Sequence, residues 1–193
     1  MASPEAITAE VALDARVDPV ARTSEYQQML LGVLGDRDPA QVIAGLPDEL
    51  ERLIGEAGDH LRTRPAEGEW SPIEILGHLL DAEIVLAGRY RWILAHDRPP
   101  LIAYEQDLWV ERLRHQEDDP VEMLALFRAL VRSHLRLWER TPEVERGRVG
   151  MHAERGPESY EQSFRMLAGH GLFHLAQLRR TLAQVRGASR PAG

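Results

Sequence analysis

Apolar residues recur every three or four positions along most of this chain, the spacing of one buried stripe on an α-helix, and no stretch alternates in twos as a half-buried strand would. Between Thr23 and Gly45 the apolar positions Met29, Leu30, Val33, Leu34, Val42 and Ile43 predict one or two short helices, broken around Gly35 to Pro39 and packed as a lid. A first main helix is expected after Pro47, on Leu50, Leu53, Ile54 and Leu61, ending by Pro65. The second has the clearest start: Ser71, Pro72, Ile73, Glu74 reads as N-cap, first-turn proline and capping-box glutamate, and the helix should run to about Ala95. Asp119, Pro120, Val121, Glu122 repeats the signal for a third helix, which carries Phe127, Val131 and Trp138 and ends before Pro142. After a loop from Glu143 to Pro157, a fourth carries Phe164, Leu167, Leu172, Leu175, Leu178 and Leu182 and stops by Gly187. No strand is expected.

Four long amphipathic helices without strands predict an all-α fold, a four-helix bundle. The connection between the second and third helices is about 20 residues long, far more than a tight hairpin needs. It includes Tyr104 to Leu113 as a short helix, and it lets the two helices it joins run parallel, giving an up-down-down-up order. Residues 1–22 mix small and charged residues with Pro4 and Pro19 and are expected to be a mobile tail, 23–187 one domain, and 188–193 a flexible C-terminus.

Charge and composition narrow the chemistry. A net charge of −8 over 193 residues argues against nucleic acid as a partner. All 23 basic residues are arginine, so lysine nucleophiles and Schiff bases are excluded, and with no cysteine neither disulfides nor protein thiolates are available. Any metal must sit on histidine and carboxylate. No apolar run is long enough for a membrane span and no secretory signal is evident, so the expected compartment is the cytoplasm. A homodimer through an exposed apolar helix face is a further expectation.

The histidines carry the candidate chemistry. His170 and His174, four residues apart, stack one turn above the other on one helix face, a spacing that suits two ligands of one ion. His78 lies inside the apolar face of the second helix, where a polar ring needs a partner, and it completes a set of three. Imidazole suits one divalent transition metal ion: zinc, nickel, iron or manganese. Glycines 169 and 171 are expected to keep space open beside the rings, and Gln177 to orient a ligand from one turn beyond His174. Asp81, one turn after His78, is the candidate general base or hydrogen-bond partner, while Glu74 is more economically explained by its cap. His134 falls in the apolar stripe of the third helix and is expected to line the pocket. Tyr104 and Trp109, in the long connection, are expected to do the same, and His60, His96, His115 and His152 to lie at the surface.

The stretch from Glu69 to Leu79 (Glu-Trp-Ser-Pro-Ile-Glu-Ile-Leu-Gly-His-Leu), with the later His170-Gly-Leu-Phe-His174-Leu-Ala-Gln177, resembles the DinB/YfiT-like superfamily over about residues 45–186. The resemblance implies a four-helix bundle of unusual topology in which His78, His170 and His174 bind a divalent metal. Characterised relatives include metal-dependent S-transferases that use low-molecular-weight thiols such as bacillithiol or mycothiol. Three neutral imidazoles leave coordination positions open for water or a thiol, and the ion's charge would deprotonate a thiol in a chain that has none of its own. The expected function is therefore metal-dependent transfer of a small thiol to an electrophile. A metal-dependent hydrolase, or a non-catalytic stress or binding protein stabilised by its ion, are the alternatives.

Overall fold

Proline and aspartate set where the long helices begin. The structure, a computed structural model, describes residues 23–188, so the tail expected over 1–22 and the last five residues of the C-terminal segment lie outside the described residues. Helix α1 (Thr23–Leu34) ends at Gly35, whose φ of 59° is open to glycine at little cost. Asp38 then caps α2 (Pro39–Ala57), its Oδ1 accepting from the amides of Ala40 and Gln41 at 2.8 and 3.0 Å. The break expected before Pro47 does not occur: α2 runs through it. Pro47 removes one backbone bond, but Ile43, Leu46, Leu50, Leu53 and Ile54 are all buried along this helix, and that packing holds it together.

After a 3-10 turn at Gly58–His60, α3 (Pro72–Ala95) begins at the expected cap, with Glu74 Oε2 accepting from the Ser71 amide and hydroxyl, both at 2.8 Å. Burial pushes the Glu74 carboxyl up, yet the bonds from Arg64 and Ser71 outweigh it and leave its pKa lowered. The long connection then holds β1 (Pro100–Leu101), the short helix α4 (Gln106–Arg112) and a 3-10 turn at His115–Glu117. Next come α5 (Pro120–Arg140), α6 (Glu143–Arg146), β2 (Val149–His152), β3 (Gly156–Ser159) and α7 (Tyr160–Ala188).

Side-chain pairs fix the helix directions. Arg179 reaches Glu49 and Arg186 reaches the Glu56 carbonyl, both across an interval of 130 residues, so α2 and α7 run parallel. His78, early in α3, meets His170 and His174, whereas Tyr90, late in α3, donates to the Ser163 carbonyl near the start of α7, so these two run antiparallel. Trp138, at the end of α5, stacks on Phe164 with ring centroids 4.1 Å apart, at the same end of the bundle as Tyr90. The bundle of α2, α3, α5 and α7 is therefore up-down-down-up. Burying large rings such as Tyr90, Tyr160 and Phe164 contributes roughly 1.5–3 kcal/mol each.

Two expectations need correction. Helix α1, expected as a lid on the bundle, lies along α7, where Gly169 lets the Leu30 carbonyl approach, and Gly171 admits the Leu46 side chain of α2. These glycines close space against neighbours instead of opening it beside the imidazoles. The loop before α7 also contains strands: β2 pairs antiparallel with β3, from Val149 opposite Ser159 to His152 opposite Gly156, and parallel with β1 through Pro100 and Leu101. Strands of two and four residues are too short to show an alternating pattern.

Candidate metal centre

The first turns of α3 are buried without interruption from Pro72 to Glu83, so His78 has no route to bulk water and must be satisfied from within. It faces α7. The Nε2 atom of His78 lies 3.0 Å from that of His170 and 3.1 Å from that of His174. On the other side of His174, Nδ1 donates to Gln177 Oε1 at 2.7 Å; with the proton held there, its Nε2 presents a lone pair to the cluster. Trp70, just before the cap of α3, covers the group, its ring 4.8 Å from that of His78 and 6.3 Å from that of His174.

Electrostatics keep these rings neutral. Burial, followed by the nearness of His174 and His170, holds His78 well below the usual histidine value; burial and then His174 do the same to His170. His174 is pushed down to about 4, chiefly by burial, against the bond to Gln177 that raises it. Three inward-facing nitrogens cannot all be satisfied by hydrogen bonding to one another, since each such bond needs one proton and one lone pair. A cation resolves the conflict. Two nitrogens that each bind one ion at about 2.0–2.1 Å can be no more than about 4.2 Å apart, and the separations of 3.0 and 3.1 Å satisfy this. Among the described residues this is the one group of histidines and carboxylates gathered closely enough to hold a metal ion.

A cavity of about 90 Å³ opens beside His170, with Arg89, Tyr104, Arg155, Glu158 and Ser163 in its wall. Residues 40–178 match the DinB superfamily across most of the bundle. The chain belongs to the DinB superfamily. Among its relatives, a protein of Oceanobacillus iheyensis named a putative metal-dependent hydrolase is 25% identical over 138 residues, 70% of this chain and 79% of that one. YfiT from Bacillus subtilis, described as a probable metal-dependent hydrolase with an unusual four-helix bundle topology, superposes with a TM-score of 0.71 at 21% identity. The alignment covers 77% of this chain and 86% of that one, and it establishes the shared fold.

The other nominated residues of this DinB chain divide by surroundings. Asp81 does not bond to His78, whose Nδ1 has no partner, but accepts from His115 Nε2 at 2.8 Å, while His115 Nδ1 meets Asp118 Oδ2 at 2.8 Å. A ring donating from both nitrogens is an imidazolium, and the bonds from Asp81 and then Asp118 raise the His115 pKa against the pull of burial. The buried carboxylate of Asp81 is thus partnered by His115, and the expectation that it hydrogen-bonds to His78 is corrected accordingly. His115 is no surface residue either; Gly77 makes room for its ring, which a Cβ there would strike.

His134 is likewise absent from the cavity wall. It is fully buried, with Nε2 2.9 Å from Glu83 Oε2, although not aligned as a hydrogen bond, and burial raises the Glu83 pKa. Tyr104 lines the cavity; Trp109 packs on it at 4.5 Å without reaching the wall. His152 is buried, and its Nδ1 accepts from the amides of Glu154 and Arg155 at 3.2 and 3.4 Å in the β2–β3 turn. Residues that sequence reasoning missed are Trp70, Arg89, Arg155 and Glu158. The signal available for Trp70 was its position beside the cap that aims His78; Arg155 and Glu158 gave none, because a hairpin too short to detect brings them to the wall, and Arg89 on α3 reads locally as an ordinary surface arginine.

Proposed function

We propose that this chain is a metal-dependent transferase: His78, His170 and His174 hold one divalent transition metal ion, and the protein joins a low-molecular-weight thiol to an electrophile bound in the adjoining cavity. The observation that carries the reading is the convergence of three buried, neutral imidazoles through Nε2 at the edge of an open cavity. An ion bound there would act as a Lewis acid, lowering the pKa of a thiol or water in an open position. The chain's own residues do the rest. Gln177 fixes the tautomer of His174, Trp70 keeps water from one side of the cluster, and Tyr104 and Arg89 shape the space in which the second substrate sits. In the reaction a sulfur–carbon bond forms, the bond from carbon to the leaving group breaks, and the thiol proton departs with that group.

The hydrolase reading is favoured by the description attached to the O. iheyensis relative. Against it stands Asp81. Water has a far higher pKa than a thiol and gains more from a protein base, and the carboxylate nominated as that base is tied to His115. The test is product analysis on untagged, metal-loaded protein given an activated aryl halide or ester, with and without added small thiols. Thioether or thioester formation that requires the thiol is expected; an equal yield of hydrolysed product in its absence would replace transfer by hydrolysis. Metal retention without turnover of either kind would leave a binding protein.

A further inference from the structure

Arg89 is a buried cation that faces a cavity and lacks an acid. It projects from α3 with 5% of its surface exposed, and Nη2 donates to the Ile102 carbonyl, but Nε has no partner among the described residues. No described carboxylate lies within ion-pair distance of it. Across the same cavity, the β2–β3 turn brings in Arg155, whose Nε and Nη2 both reach Glu158 Oε2, at 2.8 and 2.6 Å, leaving Oε1 of the fully buried Glu158 unpartnered. The Ser163 hydroxyl, also buried and without a partner, and Tyr104 complete this part of the wall, which ends at His170. Burial, then the like charge of Arg155, holds the Arg89 pKa down. Two guanidiniums that face one cavity, one of them buried, are unfavourable unless an anion comes between or beside them.

We propose that this pocket is a receptor for one carboxylate of the substrate, held by the free Nε edge of Arg89 with Ser163 and Arg155. The charge count selects the ligand class. Two arginines against one glutamate leave a single positive charge, which one carboxylate neutralises, whereas a doubly charged phosphate would overshoot and meet Glu158. The free Oε1 of Glu158 is then available to a hydroxyl or amine elsewhere on the same molecule. The inference rests on the reading above for its bearing on the reaction, because the carboxylate would tether a substrate whose reactive end reaches His170. Its binding step can be tested separately.

The experiment is a chemical-shift titration of the full chain with propionate and, in parallel, with propionamide, which has nearly the same shape and no charge. Propionate is expected to bind at least roughly ten-fold more tightly than the amide, and Arg89→Met to abolish that preference. Arg89→Lys, which keeps the charge but not the fork, should retain part of it, and Ser163→Ala serves if the Arg89→Met chain does not fold. Equal affinity for acid and amide in the wild type, or undiminished propionate binding in folded Arg89→Met, overturns the receptor. His174→Ala, expected to lose the metal, separates the two readings. Charge preference that survives in it places the carboxylate at Arg89 whatever the fate of the metal reading; preference that disappears moves the carboxylate to the histidine cluster and refutes the inference.

Discussion

Two histidine sites are built on α3 one turn apart, and they differ in charge: one is neutral, the other positive. His78 faces two more imidazoles and is kept neutral; Asp81, three residues on, faces His115, which is kept protonated between two carboxylates. Burial opposes protonation in both. The difference lies in what the rest of the fold sets against the ring: α7 offers nitrogens that need a cation from outside, and the turn before α5 offers oxygens around a cation that the protein already contains. A buried histidine is thus read from its partners before its motif.

The comparison can be broken most directly at the cluster. His174→Ala and His78→Ala should each reduce bound metal from about one equivalent per chain to a small fraction, an affinity loss of at least roughly a hundred-fold, measured by elemental analysis of untagged protein. Full retention in either would remove that residue from the site. Asp81→Asn should do the reverse, lowering stability in urea by about 2 kcal/mol, the worth of a hydrogen bond to a charged group, with metal content unaltered. If it stripped the metal instead, the two sites would not be independent. Gln177→Ala removes the bond that orients His174 and should weaken metal binding by roughly ten-fold with little change in stability; competition with a chromogenic chelator would show this, and an unchanged affinity would mean that packing alone aims the ring.

A pH series sharpens the contrast with a smaller effect. In metal-free protein the cluster rings have depressed pKa values, so the unfolded chain takes up more protons than the fold and stability falls as pH drops below about 6.5, the unfolded histidine value. The His115 clamp has the opposite sign: its raised pKa contributes fully below about 6.5 and is lost as pH rises through the folded value. The stability gap between wild type and Asp81→Asn should therefore be wider at pH 5.5 than at pH 8.5, and a gap that does not change would contradict the imidazolium assigned to His115.

What could be read in advance follows from the distance over which each feature is determined. The caps of α3 and α5 depend on four neighbouring residues each, and the structure places both helix starts where those residues put them. His170 and His174 share a face because four residues make about one turn. Bundle order was also within reach, because the length of the connection after α3 limits the directions available. Pairings across the fold were not: His115 meets Asp81 across 34 positions, and His134 meets Glu83 from another helix, and nothing local distinguishes these rings from exposed or pocket histidines. Pro47 misled for a related reason, since a local breaker was outweighed by the burial of the helix around it.

The ligand set and the charged wall beside it come from different kinds of architecture. The three imidazoles stand on long helices locked into the frame, whereas Arg155 and Glu158 are carried by a small hairpin clipped on between α6 and α7. On the proposed reading, exchanging that hairpin would alter which molecules are admitted and leave the histidines where they stand. Selectivity and reactivity can accordingly drift apart over evolutionary time, as an interchangeable keyway does from the bolt it serves.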